Sequence, residues 1–267
     1  MLDLHRPRSA CSRRARRHFL LAVGAIVAVL VAGSVSRAAA DDGATYLSWE
    51  ACPGSHHAAP GVPFDCLPEG GSVYTLIGTF TVDHTIAGAL SMDADVSIAF
   101  PELSELPPFW SIVDGGCNRP FAIVRTMPDD CPDHVNAFCS GDTNRCDLNY
   151  SASVLPGTSI LRLSITASAA YPSTATLAQG QRYFAFTLNI PMTGAANCTG
   201  CTAPSAIGFS QGRIYALDGH GGLAPPVTVT GSHPGANACA TANDGFSECT
   251  TVPTRRLSWG RLKSLYR

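Results

Sequence analysis

Leu90, Met92, Ala94, Val96, Ile98 and Phe100 alternate with Ser91, Asp93, Asp95, Ser97 and Ala99. A period of two places the first set on one face of a strand and the second set on the other, whereas a helix would scatter both. A strand with one dry and one wet side belongs to an antiparallel sheet whose polar face meets water. This stretch limits the chain to folds that contain a half-solvated sheet.

The remaining segments agree. Tyr46 to Trp49, Tyr74 to Val82, Phe121 to Thr126, Ile160 to Ala167, Tyr183 to Ile190, Ala206 to Leu217 and Val227 to Val229 read as strands. Ala51 to Gly71 is broken by prolines and glycines, and Pro128 to Tyr150 reads as polar and irregular. No helical period runs over three turns before residue 250. Short strands joined by Gly/Pro-rich turns predict an all-β fold, here a two-sheet antiparallel β-sandwich of immunoglobulin-like, cohesin-like or jelly-roll type with disulfide-rich loops. Leu90 to Phe100 is expected to run antiparallel to Tyr74 to Val82. Its apolar face would meet Leu161, Leu163 and Ile165, or Phe184, Phe186 and Leu188, across the core.

The ends differ from the body. Six arginines from Arg6 to Arg17, an apolar run from Phe19 to Val35 and Ala38-Ala39-Ala40 make residues 1–40 a signal peptide, of twin-arginine or general secretory type. No second apolar run is long enough to span a bilayer. Residues 41–252 form the single sandwich domain, and 253–267 a basic tail with a short C-terminal helix capped by Ser258. The expected location is secreted or periplasmic.

From Asp41 onward, 11 Lys/Arg face 19 Asp/Glu, and five of those bases lie in the last thirteen residues. The body before them has six bases and no lysine. Such an acidic body repels a phosphate backbone, which excludes nucleic acid as the expected partner. Ten cysteines follow the signal: Cys52, Cys66, Cys117, Cys131, Cys139, Cys146, Cys198, Cys201, Cys239 and Cys249. An even number in an exported chain reads as a disulfide framework. Connectivity is open from sequence. Pairing of nearest neighbours is the expectation, because each such pair brackets a turn-rich stretch.

Four features are candidates for chemistry. Gly208-Phe209-Ser210-Gln211-Gly212 matches Gly-x-Ser-x-Gly and resembles the nucleophile elbow of α/β-hydrolase esterases, which needs a strand before the serine and a helix after it. Asp218 and His220 follow in the acid–histidine order, but Arg213 to Leu217 reads as more strand. Cys198-Thr199-Gly200-Cys201 has redox spacing without a helix start; a structural disulfide is the alternative. Asp129, Asp130 and Asp133 in one loop, and Asp142, Asn144 and Asp147 in the next, are oxygen donors of the kind calcium takes, without the EF-hand spacing. No other cofactor is implied. Trp110 is either a core anchor or a sugar-stacking platform.

The layout resembles a group of uncharacterised exported bacterial β-sandwich proteins. The resemblance lies in Tyr46-Leu47-Ser48-Trp49, Gly78-Thr79-Phe80, Leu106-Pro107-Pro108-Phe109-Trp110, Tyr183-Phe184-Ala185-Phe186, Cys198 to Cys201 and the tail Trp259-Gly260-Arg261-Leu262-Lys263-Ser264-Leu265-Tyr266-Arg267. It implies a secreted sandwich and an ordinary strand around Ser210, and brings no activity with it. Two classes of function follow. One is a non-enzymatic binding, adhesive or cell-envelope module whose ligand is a glycan or envelope component. The other is a secreted serine hydrolase using Ser210.

Overall fold

The computed structural model describes residues 43–66, 71–112, 122–124, 127–138, 146–170, 172–193, 198–231 and 237–243. The signal peptide, the basic tail with its helix, Cys117, Cys139, Cys249, Asp142 and Asn144 lie outside the described residues.

The protein is all-β. Its strands are β1 (Gly43–Trp49), β2 (Gly61–Val62), β3 (Val73–Thr81), β4 (Ile86–Ala99), β5 (Ala122–Val124), β6 (His134–Val135) and β7 (Cys146–Val154). They continue with β8 (Ile160–Ala169), β9 (Ala175–Leu177), β10 (Arg182–Pro191), β11 (Ser205–Ala216), β12 (Val227–Thr230) and β13 (Cys239–Ala242). Hydrogen-bonded neighbours follow the order β5-β10-β3-β1-β12-β11-β4-β8-β7, and the sheet curls into a nearly closed barrel. β1 is the seam. It pairs antiparallel with β3 along its length and parallel with β12 at Gly43 and Ala44.

β4 is the opening stretch of the sequence analysis, with different neighbours from those expected. It lies antiparallel to β11 and β8, not to β3, which pairs with β1 and β10. The connection from Val82 to Ile86 carries the chain from one half of the sheet to the other, so these successive strands are not a hairpin. Leu161, Leu163 and Ile165 are therefore beside β4 in the same sheet. β4 also starts earlier, at Ile86. Tyr215 pairs with Ser91 and Ala216 with Ala89, so Leu90 is the extra residue of a bulge and is only half-buried.

The core follows the alternation. Met92, Ala94, Val96 and Ile98 are buried, as are Leu161, Leu163 and Ile165. Phe186 of β10 meets Phe209 of β11 edge-on at 5.4 Å, which packs one half of the sheet against the other. Gly78 makes this possible, because a Cβ there would lie 2.4 Å from the Phe186 ring. Trp110 is 1% exposed and packs against Phe64, Phe100 and Phe109, so it is a core anchor and not a sugar platform.

The disulfides overturn nearest-neighbour pairing. Cys52 is bonded to Cys131 and Cys66 to Cys201, across 79 and 135 residues. Cys198 and Cys239 are also disulfide-bonded. The prediction failed because it treated each bridge as a staple within one loop. In the fold, loops from distant parts of the chain meet, Cys52–Cys131 against Ile77 and Phe184 and Cys66–Cys201 against the main core. Long closures stabilise more than short ones, about 4–5 kcal/mol each in the chain-entropy model against the roughly 2–3 kcal/mol expected of short loops. The bridges point to an oxidising, non-cytoplasmic compartment. Among the described residues no helix is long and apolar enough to cross a membrane.

Candidate functional site

The outward side chains of β11, β4, β8 and β7 form one polar face, set in rows by strand register. Gln211, Asp95, Ser164 and Ser151 make one row, and Arg213, Asp93, Thr166 and Asn149 the next. Ser97, Arg162 and Ser153 lie on one side of these, and Tyr215, Ser91, Ser168 and Asp147 on the other. Neighbouring strands are spaced roughly 4.8 Å apart, so the rows present polar groups at that interval.

The two carboxylates are held rather than free. Thr166 Oγ1 donates to Asp93 Oδ1 at 2.6 Å. Gln211 Nε2 donates to Asp95 Oδ2 at 2.9 Å, and the Arg213 guanidinium reaches the same oxygen at 3.5 Å. Arg213 stands opposite Asp93 in register, yet its charge goes diagonally to Asp95. The arrangement offers hydroxyls, an amide, carboxylates and guanidinium groups on a sheet. It can hydrogen-bond a polar ligand.

Ser210 does not stand at an elbow. It lies in mid-strand, followed by more strand, at a bulge where Phe209 pairs with Val96 and Gln211 with Asp95. The bulge marks a change of neighbour. β13 covers β11 up to Gly208, and β12 takes over from Gln211. Four hydrogen bonds hold both edges of the strand here, one of them from the Phe209 N–H to the Ala238 carbonyl at 2.8 Å. Ser210 Oγ donates to the Asp95 carbonyl at 3.0 Å, the Gly231 N–H donates to the Ser210 carbonyl at 3.0 Å, and Thr45 Oγ1 donates to the Phe209 carbonyl at 2.8 Å. Gly212 has a packing cause, since a Cβ there would fall 2.1 Å from the Met92 methyl. The Gly-x-Ser-x-Gly pattern is thus a bulged strand. Asp218 is occupied locally, accepting from the N–H groups of His220 and Gly222.

The other candidates separate in space. Asp129, Asp130 and Asp133 are exposed around a turn, and Asp147 opens β7. Among the described residues no three His, Cys, Asp or Glu side chains converge on a point that would hold a metal. Cys198 and Cys201 are each committed to a disulfide, with Cys201 tied to Cys66, which leaves no redox pair. The loop between them is structural. The Phe109 N–H donates to the Thr199 carbonyl, and Gly200 has φ +92° with Pro107 filling the space a Cβ would need.

One buried titratable group stands apart from the face. His134 of β6 is 8% exposed, and among the described residues neither ring nitrogen has a hydrogen-bond partner. Burial lowers its pKa first, and the Arg182 charge, opposite it in register on β10, lowers it further against the opposing pull of Asp133. Arg182 is fixed over the Tyr46 ring at 5.3 Å and donates to the Pro53 carbonyl.

The wet sides of β4 and β8 are legible in the sequence; β7 is not, since the reading of Pro128 to Tyr150 as irregular takes in its first half. The signal was present in Leu148, Tyr150, Ala152 and Val154 alternating with polar residues. No protein-family model, curated protein or solved structure matches the chain.

Proposed function

We propose that the protein is an exported, non-enzymatic binding module, a flattened barrel of the sandwich type that presents its β11-β4-β8-β7 face to a glycan or another hydroxyl-rich component of the cell envelope. The observation that carries this reading is the row-by-row polar face, in which hydroxyl, amide, carboxylate and guanidinium groups are spaced by the sheet. Hydroxyl-rich ligands are bound by such sets of donors and acceptors held in fixed positions. The acidic body turns away polyanions, and the disulfides suit an envelope or extracellular setting.

The test is a glycan-array screen of the labelled exported chain beside an Arg213→Ala, Asn149→Ala double variant. Capture of a glycan class by the parent chain, weakened at least tenfold in the variant with the fold retained, is the expected result. The hydrolase reading is checked in parallel with a fluorophosphonate probe. No Ser210-dependent labelling is expected, because the Ser210 hydroxyl serves the bulge. Covalent capture abolished by Ser210→Ala would overturn the binding-only reading.

A further inference from the structure

We infer that β7 is a self-complementary edge through which two copies of this chain join antiparallel into one continuous sheet. This goes beyond the ligand reading above and stands if that reading falls.

β7 lacks the devices that close a strand edge. It is nine residues long, and among the described residues it bonds to β8 alone. Long open edges offer unpaired N–H and C=O groups to any other strand, and monomeric proteins blunt them with lysine, proline, inward charges or short length. β7 reads Cys-Asp-Leu-Asn-Tyr-Ser-Ala-Ser-Val, with no lysine, no proline, no glycine and no inward charge. At the opposite end of the sheet path, β5 takes in three of the described residues.

The inward row of β7 is also incompletely covered. Leu148 and Ala152 pack on the core, whereas Tyr150 is 46% and Val154 37% exposed. These two apolar side chains share one row and miss the cover that a further strand would give.

The occupant follows from the register. Antiparallel partners point to the same face, so a self-pairing must match the inward row with itself. Tyr150 is the midpoint of Cys146–Val154, and a two-fold axis through it uses the whole strand. Tyr150 then meets the second copy's Tyr150, and each Leu148 meets an Ala152, a large residue against a small one. On the outer row Asn149 meets Ser151 and Asp147 meets Ser153. The single charge of the strand faces a hydroxyl and never its own like. Such an isologous contact closes at two copies. The outward polar rows of β7 and its neighbours would then continue into those of the second copy.

The experiment is sedimentation analysis of the exported, disulfide-bonded chain over a concentration series, with three variants. The parent chain is expected to show a concentration-dependent dimer, and Tyr150→Lys to sediment as monomer with an unchanged far-UV spectrum. Ser153→Lys sets a cation against the second copy's Asp147 at two symmetric places, and Ser153→Asp sets an anion there. Ser153→Lys is expected to tighten dimerisation by roughly 2- to 30-fold and Ser153→Asp to weaken it over the same range, both effects shrinking at high salt. Ser153 is exposed, so this pair decides the matter even if Tyr150→Lys fails to fold. A parent chain that stays monomeric at its highest soluble concentration overturns the proposal. So does a dimer that survives Tyr150→Lys, or one that responds alike to both Ser153 variants.

Discussion

β4 and β7 belong to the same sheet, two places apart, and carry the same alternation. On β4 the inward row of Met92, Ala94, Val96 and Ile98 is fully buried. On β7 the equivalent row leaves Tyr150 and Val154 more than one-third exposed. β4 is flanked by β11 and β8, whereas among the described residues β7 has β8 on one side only. Alternation fixes which face a side chain takes, and the number of neighbouring strands fixes how deeply it is buried. Polar groups follow the same rule. Asp93 and Asp95 are half-buried and bonded, while Asn149, Ser151 and Ser153 are exposed.

The comparison can be broken most directly by truncation. Ile98→Ala is expected to cost about 2–5 kcal/mol, because it leaves a cavity in a site that cannot collapse. Val154→Ala is expected to cost well under about 1 kcal/mol, since it removes partly wet surface. Chemical denaturation of both variants reads the difference, and equal losses would end the centre-against-edge distinction. A smaller contrast lies on the polar face. Thr166→Val takes away the hydroxyl that satisfies Asp93 and is expected to cost about 1–3 kcal/mol, while Ser153→Ala should stay within about 0.5 kcal/mol.

The third test is a pH series. His134 has its pKa lowered in the fold, so the folded state prefers the neutral ring. Stability is then full above the unfolded value of about 6.5 and falls as pH drops below it toward the folded value, because the unfolded chain takes the proton first. His134→Leu should remove this part of the acid sensitivity, as read by thermal melts from neutral to mildly acidic pH. The smallest effect belongs to Arg213→Ala. Both partners of its ion pair remain more than one-third exposed, so a loss of no more than about 1 kcal/mol at low salt is expected, vanishing at high salt.

The fold class was legible because β4, β8 and β10 carry an alternation that only a half-buried strand satisfies. Pairing was less legible. Nothing in Val82 to Ile86 distinguishes a hairpin from a crossing between the halves of the sheet, so the sequence alone makes β3 and β4 neighbours. β7 was hidden by Asn149, Ser151 and Ser153, residues that favour turns but here occupy the wet side of a strand. Disulfide partners were illegible, because pairing depends on which loops meet in space and not on spacing along the chain. At Ser210 the local pattern pointed to chemistry, and its glycine and serine serve packing and a bulge. In the sequence Asp93 and Asp95 are no more than the wet side of one strand, and the polar face is not legible there. Its extent required register, which sets Arg213, Thr166 and Asn149 beside them.

β1 has an implication for the order in which the molecule can assemble. One of its edges is taken by β3, which follows it closely in the chain. The other is met near its end by Ala59, but at Gly43 and Ala44 it waits for β12 and at Tyr46 and Leu47 for Asn237. Pairings of such long range are slow to form, and an exposed strand edge invites wrong partners in the interval. A chain that reaches its destination unfolded would therefore hold β1 half-paired until almost the whole domain is present. The Cys66–Cys201 bond locks a comparably distant contact, so oxidation before β12 docks would favour the native route, and reduction would lengthen the time that β1 is exposed.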